Sequence, residues 1–322
     1  MLVENRKPPA CAGSLTDALQ NLATRESLKP AAKGNYRMES AVRLLKPVIE
    51  KFPLIASFYR FYRDQKRLMR AVEYRPKLGF KFIGSALMER GDFEPDESEI
   101  FDKIINNFDI LINVGANTGY YCLKALSKNK NVIAFEPNEL NTKTLLRNVY
   151  ENEFSHKIHI FQLALSDHVG ILPIYGADTG ASLIKGWAGQ NQHTLVPVNT
   201  FDNVTHSLVD NSKKLVLVDI EGAEYNFLHG AYSILKNPED TVFMMEISVA
   251  EHQPTGTNIN PRLLDTFQLM DQFGYSAFTC DSRKRSVQIS EISEIVRTGI
   301  DTLGTHNFIF INKDTTLERW GL

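Results

Sequence analysis

Several acids in this chain stand where an open sheet would present them. Glu136 follows the apolar run Val132–Phe135, Asp219 follows Lys214–Val218, and Glu246 closes the run Thr241–Met245. In an open α/β sheet the carboxyl ends of the strands face the ligand crevice. Asp219 is therefore the best-placed general base, able to take a proton from a hydroxyl. Glu246 points at the same rim. His252, in a loop with Gly256, is a second base candidate. Asp219, Glu221 and Glu246 could together hold a hard cation such as Mg²⁺ through oxygen ligands, but no spacing fixes one and no metal is assigned.

The second chemical signal is a glycine turn. Ile110, Leu111, Ile112 and Val114 read as a strand buried on both faces, and Gly115 to Gly119 bound a tight turn into a helix. Such a strand–turn–helix presents backbone N–H groups to an anion. A dinucleotide fold prefers G-x-G-x-x-G, whose middle glycine admits a pyrophosphate. Here the turn is G-x-x-x-G, with Asn117 in the place of that middle glycine. Glu136 comes about 20 residues after the first glycine, where an acid meets ribose hydroxyls. A nucleoside with an amino-acid tail, S-adenosylmethionine, fits this combination better than a dinucleotide. A nicotinamide dehydrogenase is correspondingly disfavoured. The cofactor-side residues are then Gly115, Asn117, Gly119, Glu136 and Asp219, with Asn138 capping the next helix beside Glu136. Ser166 or Asp167, in the loop closing the third strand, could accept from an adenine amino group. Glu94, in the loop delivering the chain to the first core strand, could line the cleft.

The elements that must position these groups alternate. From Phe108 onward strands and helices succeed one another as in a doubly wound sheet. Expected strands are 110–114, 132–135, 158–162, 214–219, 241–246, 274–278 and 306–311, with helices beginning near Gly119, Asn138, Glu224 and Pro261. The helix after Glu224 is expected to run to about Leu235, and residues 281–300 to form a mixed insertion with a short helix. Two extra β segments, 170–175 and 193–198, flank a polar, glycine-rich flap carrying Lys185 and Trp187, either of which could contact a substrate.

The division of the chain expected here is a loosely ordered segment 1–37, a helical lid region 38–107, a Rossmann-like domain 108–313 and a tail 314–322. Between Ala41 and Lys81 there are eleven basic residues against three acidic ones. A basic aromatic helix there could touch an anionic membrane surface or pack as a lid with a solvated basic face. The 322 residues, 43% hydrophobic, suffice for a large core, and the net charge of −2 argues against a nucleic-acid binder. Three scattered cysteines, Cys11, Cys122 and Cys280, make neither a disulfide framework nor a metal set, which suits a reducing cytoplasm. No apolar run is long enough to span a membrane, and no secretory leader is evident. Oligomeric state is not readable.

Five pieces, in order, carry a resemblance: 113–121 (NVGANTGYY), 134–137 (AFEP), 164–167 (ALSD), 196–202 (VPVNTFD) and 219–225 (DIEGAEY). Over about residues 80–312 the chain resembles the FkbM family of S-adenosylmethionine-dependent methyltransferases. The resemblance implies a class I methyltransferase fold, Rossmann-like, with a seven-stranded, mostly parallel sheet whose last strand is antiparallel, here with an N-terminal helical extension. It implies O-methylation of a hydroxyl on a sugar, glycan, glycolipid or other natural product, and adds Asn113 and Tyr120 to the cofactor-side residues. Two positions depart from the family pattern. Asn113 replaces an acid that helps hold the amino group of the cofactor's methionine, so weaker binding is expected. Val218 replaces a lysine, so no role of that lysine carries over. These departures motivate the alternative of a non-catalytic cofactor-binding or scaffold module.

Overall fold

The computed structural model of the chain describes residues 68–322 apart from 177–179 and 210–211, together with Tyr62, Gln65 and Lys66. The expected segment 1–37 and most of the basic helical stretch after it, including its membrane-facing reading, lie outside the described residues. Residues from Asp64 to Leu322 form one compact unit. No helix among the described residues is long and apolar enough to cross a membrane.

A two-stranded antiparallel ribbon, β1 (Glu73–Arg75) and β2 (Phe80–Phe82), leads into α1 (Ala86–Arg90) and α2 (Pro95–Ile104). Then come β3 (Ile110–Val114), α3 (Tyr120–Ser127), β4 (Asn131–Phe135), α4 (Glu139–Glu151) and β5 (Ile158–Phe161). Three short strands follow, β6 (Ala164–Leu165), β7 (Gly170–Tyr175) and β8 (His193–Asn199), which make a separate sheet in the order β6-β8-β7. Helix α5 (Phe201–Thr205) returns the chain to β9 (Lys214–Val218), α6 (Glu224–His229), α7 (Tyr232–Leu235) and β10 (Thr241–Glu246). The chain ends through α8 (Leu263–Gln272), β11 (Tyr275–Thr279), β12 (Ser286–Val287), α9 (Ile289–Thr298) and β13 (Asn307–Asn312).

The main sheet has the order β12-β11-β13-β10-β9-β3-β4-β5. Strands β5, β4, β3, β9 and β10 are parallel neighbours, and β13 enters antiparallel between β10 and β11. All five residues of β3 and of β9 are buried, as a central strand covered on both faces requires. After β3 the chain builds outward through β4 and β5, then returns to lay β9 on the other side of β3. That reversal makes the switch point at which open sheets bind ligands.

Two expectations are corrected. Among the described residues the sheet has eight strands, against the seven expected, because part of the 281–300 insertion folds as β12 against β11. Asp281 organises that hairpin, accepting from the Thr279 hydroxyl and from the Arg283 backbone N–H, both at 2.9 Å. The helix expected from Glu224 to Leu235 is broken into α6 and α7 at Gly230. A Cβ on Gly230 would stand 2.1 Å from the carbonyl oxygen of Ser166, so the chain presses against the β6 loop there. The tail is held too: Trp320 stacks on Phe108 with ring centroids 5.0 Å apart.

Candidate active site

The glycine turn after β3 is tied down on both sides. The N–H groups of Gly115 and Ala116 both donate to the Phe135 carbonyl at 2.9 Å, fastening the turn to the end of β4. Gly115 has φ +88°, and a Cβ there would lie 1.8 Å from the carbonyl oxygen of Asp219. The glycine is thus demanded by the approach of the β9 backbone as well as by any ligand. Asn117, at φ +50°, forms the bend itself. Its N–H donates to Glu136 Oε2 at 2.7 Å, and the Asn138 N–H donates to Oε1 at 2.8 Å. Glu136 therefore braces the bend and the start of α4 while facing the cleft between them. The side chain of Asn138 caps α4, accepting from the N–H groups of Leu140 and Asn141.

This bend opens into a cleft enclosing about 580 Å³, counting its open mouth. Gly115, Asn117 and Glu136 line one wall and Asp219, Ile220 and Glu221 the other. Ile174, Ala181 and Leu183 from the β7–β8 region close a third side. A second, smaller cavity lies behind Asp219, lined by Glu94, Glu97, Tyr121, Glu246 and Cys280, among others. Asp219 borders both cavities.

Carboxylate oxygens of Glu94, Asp219 and Glu246 all lie within 4.8 Å of one another. Glu94 reaches this cluster from a left-handed position, φ +41°, immediately before Pro95 opens α2. Its Oε2 accepts from the Tyr121 hydroxyl at 2.9 Å. Asp219 Oδ1 is shut off from solvent and has no hydrogen-bond partner among the described residues. Burial is the main force on all three, because it disfavours the charged form. It pushes Asp219 well above the usual carboxylate range, with Glu246, Glu221, Glu94 and Glu224 adding repulsion. Glu246 is pushed up to about 9 by burial and by the charges of Glu221 and Glu94. Glu94 is pushed up to about 7, burial outweighing the pull of the Tyr121 hydroxyl. This cluster can hold protons at neutral pH and exchange them.

The oxygen set raised from sequence, Asp219, Glu221 and Glu246, is not the set brought together. Glu221 has φ +55° and its Oε2 accepts from Trp187 Nε1 at 2.7 Å, while Glu94 takes its place in the cluster. His252 sits on the flap side, half exposed, with Nδ1 3.7 Å from Glu221 Oε2. Lys185 is exposed.

The remaining predicted residues stand apart from both cavities. Asn113 is buried in β3 with Nδ2 donating to Cys122 Sγ at 3.3 Å and Oδ1 without a partner among the described residues. The hydroxyl of Tyr120 meets Ser98 Oγ at 3.2 Å, and its ring packs edge-on against Phe82 and Phe93. Gly119, at φ +89°, admits α3 beside Leu145, which a Cβ would meet at 2.2 Å. Ser166 is buried, its hydroxyl donating to Asp167 Oδ1 at 3.1 Å. Sequence reasoning missed Tyr121 and Glu97 as wall residues. The pair Tyr120-Tyr121 at the start of a helix was the available signal, since adjacent helical residues point about 100° apart.

Residues 113–277 match the family described as the methyltransferase FkbM domain. Among solved structures, the chain is similar to the methyltransferase FkbM from Methylobacillus flagellatus KT, at 18% identity and TM-score 0.39, over 63% of this chain and 44% of that one. It is similar to the bifunctional kinase-methyltransferase WbdD at 11% identity and TM-score 0.38, over 78% of this chain and 46% of that one. A third is the precorrin-6y C5,15-methyltransferase from Geobacter metallireducens GS-15, at 9% identity and TM-score 0.35, over 65% of this chain and 83% of that one. The chain thus spans less than half the length of the first two. No curated protein matches it.

Proposed function

The chain belongs to the methyltransferase FkbM domain family, and from that membership we propose that it transfers a methyl group from S-adenosylmethionine to a hydroxyl oxygen on a sugar, glycan, glycolipid or other natural product. One observation carries the reading: the Asn117 bend, braced by Glu136, opens into the same cleft as Asp219. The residues present fit such a nucleoside. Gly115 leaves no side chain in the turn, Glu136 supplies carboxylate oxygens beside it, and Asp219 lines the opposite wall.

When bound, the sulfonium supplies an electrophilic methyl carbon. The protein's part is to hold the acceptor oxygen in line with it, at about 3–3.5 Å, and to take the hydroxyl proton. Asp219 is the base, and Glu246 and Glu94 are close enough to share the proton it receives. This reading needs no metal, so activity should persist in chelator. Loss in chelator with recovery on Mg²⁺ would instead make the same three carboxylates a cation site. The chain works in the cytoplasm in this reading, on a hydroxyl-bearing small molecule or glycan.

Titration calorimetry with S-adenosylhomocysteine tests the cofactor assignment, and absence of binding at millimolar concentration overturns it. Asp219→Asn separates enzyme from scaffold. The enzyme reading expects methyl transfer to fall by about 10²-fold or more while S-adenosylhomocysteine still binds. Unchanged product formation in that variant would remove Asp219 as base.

A further inference from the structure

The flap and the turn after β9 meet at one place. Trp187 is only 2% exposed although the arm around it is polar. The indole lies on Gly222, which has φ +97° and whose Cβ, were there one, would stand 2.5 Å from a ring carbon. Trp187 Nε1 donates to Glu221 Oε2 at 2.7 Å. The ring of His252 meets the indole edge-on at 6.1 Å between centroids, and the Ala188 N–H donates to the His252 carbonyl at 2.8 Å. A second tie lies one turn away: the buried Ser182 hydroxyl donates to the Glu221 carbonyl at 2.5 Å. Ser182 also exchanges backbone hydrogen bonds with Tyr175 at the end of β7, at 2.7 and 2.9 Å.

Glu221 and Gly222 therefore form a socket for an indole from another part of the chain. Trp187 lines neither cavity, yet Ala181 and Leu183 beside Ser182 line the large cleft, as does Glu221. The indole seat and the Ser182 tie both end on Glu221, so the arm carrying Ala181 and Leu183 is anchored to the turn after Asp219 at two points.

We propose that Trp187 is a positioning residue. Seating its indole on Gly222 and Glu221 fixes the Ala181–Leu183 wall against the Asp219 turn, so ligand affinity depends on a side chain that does not touch the ligand. The proposal rests on the reading of this cleft as the cofactor site. Coupling of this kind is reciprocal. A ligand that binds better with the indole seated must also hold it seated.

The test uses the full chain and S-adenosylhomocysteine as probe. Trp187→Phe keeps a ring on Gly222 but removes the N–H, and Gly222→Ala unseats the ring without changing the arm. Each is expected to weaken binding about tenfold, the equivalent of one buried hydrogen bond. Glu221→Gln, which keeps an acceptor oxygen, should retain part of the affinity that Glu221→Ala loses. A merely structural role would not move the spectroscopic readout. In a Trp320→Phe background Trp187 is the only tryptophan, and its quenching by acrylamide should fall when the probe is added. Probe affinities equal to wild type in Trp187→Phe and Glu221→Ala, or quenching unmoved by probe, overturn the proposal even if Gly222→Ala fails to fold. If wild type itself takes up no probe, the methyl-donor reading falls and the coupling falls with it. If wild type binds and the variants bind equally, only the coupling falls.

Discussion

Glu136→Gln separates two jobs that the carboxylate does at once. Glu136 is 5% exposed, and each of its oxygens accepts a backbone N–H, from Asn117 at 2.7 Å and from Asn138 at 2.8 Å. A glutamine keeps one acceptor and turns an amide NH₂ toward the other donor. Losing one charge-assisted bond and stranding a buried N–H costs about 2 kcal/mol. For a domain of this size that lowers Tm by about 4–8 °C. If the carboxylate also accepts from ribose hydroxyls, a further charge-assisted bond of about 1.5–3 kcal/mol is lost, weakening S-adenosylhomocysteine by roughly 10–150-fold. The Tm is read by calorimetry and the affinity by titration, each with the natural nucleoside and with its 2′-deoxy analogue. The substitution should weaken the natural ligand more than the analogue, the signature of a direct contact in a double cycle. Equal losses for both ligands would mean that Glu136 only braces the Asn117 bend, and the ribose assignment would be refuted.

Gly115→Ala should unfold or strongly loosen the switch point, by about 3 kcal/mol or more, because its Cβ would lie 1.8 Å from the Asp219 carbonyl oxygen. Gly256→Ala, with a similar φ of +90° and nothing within 4 Å of the new Cβ, should cost only about 1 kcal/mol of backbone strain; urea titrations of the pair check the difference. Glu224, 2% exposed, has its carboxyl pushed from its ordinary 4.5 to about 7, mainly by burial. Because its folded value is raised, its stabilising contribution is complete below pH 4.5 and is lost as pH rises through about 7, a change of about 3 kcal/mol at most. Glu224→Gln should therefore gain stability relative to wild type between pH 5 and pH 8, and a gap that stays constant across that range would contradict the assignment.

How far the sequence discloses this site depends on whether a feature is local. Strands β3, β9 and β10 are legible because central strands must be apolar on both faces, and the glycine turn because its φ values are written in its residue types. The pairing of β9 with β3 is not legible, because alternation of strands and helices gives a parallel sheet without fixing where the chain doubles back. Nor is the partner of Asp219. Glu94 arrives from a distant loop, at a left-handed backbone position that no propensity assigns to glutamate. Glu221 sits two residues past Asp219, so strand alternation puts both on one face. The strand instead ends at Val218, and Glu221, at φ +55° in the turn that follows, directs its carboxylate to Trp187. Asn138 and Ser166 follow strands, where cofactor contacts are expected, and the same positions also need caps and turn anchors. Their side chains are taken up by backbone and neighbours.

Glu94, Asp219 and Glu246 lie together, and among the described residues no lysine or arginine lines the cavity they share. With the Asp219 carboxyl well above its ordinary range and that of Glu246 at about 9, the pair keeps at least one proton at neutral pH. A base in that state takes no proton from a hydroxyl. A positive charge in the adjoining cleft favours the ionised form, and in the proposed function that charge belongs to the methyl donor. Asp219 should then give up its proton as the donor binds, before the acceptor reacts. Calorimetry at pH 7 in buffers of different ionisation enthalpy measures this directly. Up to about one proton should be released on binding S-adenosylmethionine and fewer on binding S-adenosylhomocysteine, whose sulfur is neutral. Equal release for the two ligands would show that the sulfonium does not act on Asp219, and would take away the physical basis for its role as base.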